Sequence, residues 1–146
     1  MKARDFQKRR LALRAILFGA AAAVCGRGAA LLGRYEAPAG DAMAAWVAEF
    51  VPGDGLLSDL GARYLAAAAT EASIPSLLVR IGERWPGGAK ELVSLPSGSL
   101  RAALTAVVRR DLERADVVLV DGWVLARSEA RLYAIAHLLR HQRAGS

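Results

Sequence analysis

Few side chains in this sequence are spaced for chemistry. His137 and His141 stand four residues apart, which puts two imidazoles on one helix face where they could share a metal ion. They are the only histidines, with no acidic partner or third ligand adjacent in sequence. Solvated imidazoles near a helix end account for them more simply. Asp121 offers a carboxylate, but the Asp121-Gly122 pair explains it as turn chemistry. No second carboxylate pairs with it for general acid–base work. The glycines and lysine of Gly82 to Lys90 lack phosphate-loop spacing, and no Gly-x-Ser-x-Gly elbow exists. The residues thus suggest no catalytic group, no metal site and no cofactor.

Charged clusters offer binding rather than catalysis. Arg127 and Arg131 flank Glu129, and Arg109-Arg110 precede Asp111. Solvated helix faces with local ion pairs are the simplest reading of both. Trp123 follows a tight turn amid aliphatic residues, so packing in the core or on a hairpin is favoured over an exposed binding aromatic. If the domain buries a face on a partner, Trp123, Arg127, Glu129 and Arg131 are the residues to make that contact.

The basic balance has one source. The chain carries 20 Lys and Arg against 14 Asp and Glu in 146 residues, a net charge of +6. Residues 1–33 hold seven of the cations and only Asp5 as an anion, so the whole excess lies there. From residue 34 onward 13 cations meet 13 anions. A nucleic-acid binder needs a basic face on its folded domain, and this neutral remainder predicts none. With hydrophobic residues at 54% the chain has apolar surface enough to fold, and one cysteine excludes a disulfide scaffold.

The basic segment reads as a leader. A basic n-region ends at Arg14, and Ala15 to Gly26 then run uncharged for 12 residues before Arg27. That is short of the roughly 20 apolar residues of a membrane span. It suits a signal-peptide core, with small residues following at Gly28-Ala29-Ala30. Lys8-Arg9-Arg10-Leu11-Ala12-Leu13-Arg14 resembles the twin-arginine (Tat) export motif through Arg9, Arg10, Leu13 and Arg14. It departs from that motif at Lys8 and Ala12. A general secretory signal or an amphipathic basic helix is the alternative. Val24 has the wrong shape to precede a lipidated cysteine, so Cys25 reads as a passive thiol, and cleavage after Ala30 would remove it.

These features need a scaffold, and residues 34–146 predict a small, mainly α domain behind the helical signal segment of residues 1–33. Asp41 is expected to cap a helix to about Val51, with Met43, Trp46, Val47 and Phe50 inward. A second helix spans about Leu56 to Ala69. A third starts after Ser73, tolerates Pro75 in its first turn and closes at Trp85-Pro86-Gly87-Gly88. Residues up to Gly98 read as loop. Ser99 is expected to cap Leu100 to Arg114, with Leu100, Leu104, Val107, Val108 and Leu112 inward. Val117 to Val120 and Trp123 to Leu125 flank Asp-Gly as a β-hairpin. Ser128 then caps a last helix to about His141. The expectation is four or five helices and one hairpin near the C-terminus.

Two stretches carry a resemblance. Leu60-Gly61-Ala62-Arg63-Tyr64-Leu65-Ala66-Ala67 and the run from Val120 through Asp121-Gly122-Trp123-Val124-Leu125 to Leu132 resemble small exported bacterial proteins. Those proteins begin with a Tat signal and end in a VDGWVLS-x-TEARL-like segment. More remotely, the layout is similar to the small (gamma) subunit of membrane-associated flavin sugar and alcohol dehydrogenases. The resemblance implies a non-catalytic accessory subunit. It would escort a larger exported subunit, a flavin-dependent dehydrogenase, through the Tat translocon. The location implied is the periplasm, or the inner membrane if the leader is not cleaved. A free-standing periplasmic or membrane-anchored helical protein with a binding or structural role is the alternative.

Overall fold

The computed structural model describes residue 38, residues 40–51 and residues 55–145. The twin-arginine positions Arg9, Arg10, Leu13 and Arg14, and Cys25, lie outside the described residues. What is described is mainly helical. Six α-helices, α1 Gly40–Ala48, α2 Gly55–Ala67, α3 Ile74–Gly82, α4 Gly88–Ser94, α5 Ser97–Glu113 and α6 Arg127–Ala144, accompany one hairpin of β1 Val117–Val120 and β2 Trp123–Ala126. A 3-10 turn, Ala69–Glu71, links α2 to α3.

Helix α6 is the axis of the fold. It runs along α2 and also packs on α1, α3 and α5. Ala130, Leu132, Ala134 and Ile135 are almost fully buried, and Ser128 and Arg131 are buried with them, so the first half of this helix is enclosed on most sides. Facing it, α1 supplies Met43, Trp46 and Val47, α2 supplies Leu60 and Tyr64, and α3 supplies Leu77, Leu78 and Ile81. The α2–α6 contact is closest at Gly61. A Cβ there would lie 2.1 Å from the Tyr133 carbonyl oxygen.

Local chemistry explains the start of α3 and the hairpin turn. Ser73 caps α3, its hydroxyl accepting the Ser76 N–H at 3.3 Å, and Pro75 occupies the first turn as expected. The hairpin turn has Asp121 at φ 49° and Gly122 at φ 82°, the left-handed pair of a type I′ turn. Its strands pair antiparallel, Val120 with Trp123 and Leu119 with Val124.

Several expectations fail: Asp41, expected to cap α1, lies inside its first turn, because the helix begins at Gly40. Residues 88–94, expected as loop, form α4, because Leu92 is fully buried and the helix start seats on Gly82. Only Leu92 and Val93 are large apolar residues in so short a helix, too few for a period to show. Leu112, expected inward, is 54% exposed, and Asp111 takes the inward place. Helix α5 begins at Ser97, two residues before its expected cap Ser99. Ser128 does not cap α6: the helix has already begun at Arg127, and Ser128 is buried in its first turn.

Candidate partner-binding face

Arg127 and Arg131 sit one turn apart at the start of α6 and meet two different carboxylates. Arg131 donates from Nε and Nη2 to the two oxygens of Glu71, both at 2.8 Å, and Tyr64 Oη donates to Glu71 Oε2 at 2.7 Å. Burial pushes the Glu71 carboxyl up. The hydrogen bonds from Arg131 and Tyr64 outweigh it and leave the group below the usual carboxylate range. Burial, with the Glu71 hydrogen bond, pushes the Tyr64 hydroxyl up to about 12, so it stays a donor.

The second cluster ties the hairpin base to α3, α5 and α6. Asp116 accepts from Arg127 Nε and from Arg84 Nη2, each at 2.6 Å. Burial raises the Asp116 carboxyl, and its two arginines bring it below the ordinary value. Arg84 also lies 3.2 Å from Asp111 Oδ1, and Arg110 donates to the Arg84 carbonyl at 2.7 Å. Asp111 is wholly buried, and its Oδ2 accepts the Ser128 N–H at 2.7 Å. A carboxylate from α5 therefore caps α6 across the core, at the end where the helix dipole favours negative charge.

These positions correct the expectation of solvated helix faces. Arg131 is 6% exposed and Asp111 is fully buried. Both hold elements together rather than face water. Glu129 is half-buried and accepts the Tyr133 hydroxyl at 2.6 Å. Arg127 is half-buried, bound to Asp116 on one side and bordering a cleft on the other. Trp123, expected to pack in the core or on the hairpin, is 53% exposed and not part of the core. It stands beside Val124 at 38%, whose cross-strand neighbour Leu119 is 57% exposed. Thus the structure gathers Arg127 and Arg131 at one end of α6, while Trp123 lies out on the hairpin. Asp111, Asp116, Glu71, Arg84 and Tyr64 complete the clusters, and sequence reasoning missed them as such. Asp111 alone left a trace: it continues the Leu100, Leu104, Val107 stripe at helical spacing.

A cleft of about 510 Å³ opens between the C-terminal half of α2 and β1. Arg63, Tyr64 and Ala66 to Ala68 form one wall, and Val118 to Asp121 with Arg127 form the other. Arg63 Nε pairs with Asp121 Oδ2 at 3.5 Å across its mouth. The histidines lie elsewhere, toward the end of α6, with ring centroids 4.3 Å apart and Ser58 Oγ 3.4 Å from His137 Nδ1. Burial and the neighbouring His141 lower the His137 pKa. Among the described residues no group of three or more potential ligands could hold a metal ion, and no helix is long and apolar enough to cross a membrane. Comparison with protein-family models, curated proteins and solved structures gives no match.

Proposed function

We propose that this chain is an exported, non-catalytic accessory subunit that docks on a larger periplasmic oxidoreductase through its hairpin. The observation behind the reading is the hairpin's exposed apolar residues, Trp123 at the outer end of the face that Val120 and Leu125 bury in the core and Leu119 with Val124 on the other face. A large exposed aromatic is the type of residue that dominates binding energy at protein interfaces. The carboxylates near it are already engaged by arginines, and the reading assigns the chemistry to the partner. The twin-arginine pattern at Arg9 and Arg10 and the gamma-subunit resemblance support the destination and the class of partner. An uncleaved leader would hold the complex at the inner membrane.

The test is purification of the tagged full chain from the cell envelope of its native source. One larger oxidoreductase subunit, lacking its own signal, is expected to co-purify in fixed ratio. Trp123→Ser is expected to weaken that complex by about 30-fold, the equivalent of about 2 kcal/mol at an interface anchor, with the helical content unchanged. Replacing Arg9 and Arg10 by lysine should leave both subunits in the cytoplasm. A stable monomer with no oxidoreductase attached overturns the reading.

A further inference from the structure

Away from the hairpin, the second half of α6 carries both histidines of the chain on one face. Residues four apart are separated by about 6 Å along a helix axis. The His137 and His141 ring centroids stand only 4.3 Å apart, so the two side chains lean together. Their planes are tilted by 57°, which is not a face-to-face stack. His141 is exposed and His137 half-buried, so an ion from solvent can reach the pair.

His137 is not a freely solvated imidazole. Buried Ser58, on the neighbouring α2, places its Oγ 3.4 Å from His137 Nδ1. A partner at Nδ1 leaves the other ring nitrogen, Nε2, to face whatever binds the ring. Besides His141, the charged groups acting on His137 are Asp59 and Arg140, of opposite sign. Their fields offset, so the arginine does not by itself repel a cation from the pair. No third His, Cys, Asp or Glu joins the two among the described residues. The ligand set is therefore two imidazole nitrogens, with water in the remaining positions.

We propose that His137 and His141 form a binding site for a divalent transition-metal ion, held through Nε2 of each ring. Imidazole suits copper, nickel and zinc, whereas calcium and magnesium seek oxygen ligands. The ring spacing narrows the choice. Two ligating rings about 2.0 Å from one ion and about 90° apart have centroids roughly 4.5 Å from each other. At the wider tetrahedral angle that separation grows to roughly 5 Å. The observed 4.3 Å fits the square arrangement, which selects Cu2+ or Ni2+ over Zn2+. An ion bridging the two rings also clamps the last turns of α6. The site is separate from the hairpin and does not depend on the accessory-subunit reading.

The experiment titrates Cu2+ and Zn2+ separately into the full chain carrying Cys25→Ser, so that this thiol does not compete. One Cu2+ per chain is expected, with nitrogen couplings from two imidazoles in its electron paramagnetic resonance spectrum. Zn2+ should bind about tenfold more weakly or less well still. His137→Gln and His141→Gln should each weaken Cu2+ binding about tenfold or more, with helical content unchanged. Cu2+ should raise the Tm of the parent chain but of neither variant. If a variant misfolds, NMR on the parent decides: Cu2+ should broaden signals of residues 58, 137 and 141 before all others. Undiminished Cu2+ binding in either variant, coupling to a single imidazole, or broadening centred elsewhere overturns the proposal.

Discussion

Arg131 and Glu71 show why a charge pattern reads differently in sequence and in space. From the sequence, Arg131 is one member of an Arg-x-Glu-x-Arg series on a helix that should face water. In the fold its neighbours Ala130, Leu132, Tyr133 and Ala134 are all buried, and the guanidinium is carried inside with them. A buried charge is tolerable only when paired and hydrogen-bonded, and Glu71 with Tyr64 meets that need. Arg131→Met leaves Glu71 buried without its cation. The expected loss is about 3–5 kcal/mol, measured as a lower urea midpoint with unchanged slope. Adding Glu71→Gln to that variant should recover most of the loss, because the stranded charge is then gone.

At the scale of elements, two devices fix α6: the remote cap from Asp111 and the close approach at Gly61. The first was half legible. Asp111 falls on the apolar stripe of α5, and a polar residue at a core position must find a buried partner, but nothing local identifies the Ser128 N–H 17 residues later. The hairpin's turn and pairing were legible, since Asp-Gly between aliphatic runs determines both the turn and the register. The short helix α4 was not, because its position depends on packing against Gly82 rather than on its own period. Whether Trp123 packs in the core or out on the hairpin was not legible, because the residue types around a hairpin do not say how far the core reaches along it. Gly61 is read correctly only with the helices assembled. Gly61→Ala would drive a methyl into the Tyr133 carbonyl and push α2 off α6. The expected cost is about 3 kcal/mol, seen as a fall in Tm, whereas Ala at exposed Gly98 should have no such effect.

For the molecule as a whole, the two ionic clusters determine how it responds to acid. Glu71 and Asp116 both titrate below their ordinary values when folded. Unfolded, they take up protons near pH 4, so the unfolded chain binds protons first. Their contribution is complete above that range and drains as pH falls toward the depressed folded values. Thermal scans between pH 7 and pH 2 should show Tm falling on the acid side, and Glu71→Gln with Asp116→Asn should flatten that limb while lowering the neutral plateau. The central place of α6 has a further consequence, in the time order of synthesis. It is the last of the described elements to leave the ribosome, yet α1, α2, α3 and α5 all pack on it. At about 5–20 residues per second, each of these four helices spends seconds without its contacts to α6. The domain therefore closes late and all at once, so a nascent chain stopped before Arg127 would remain a set of unassembled helices.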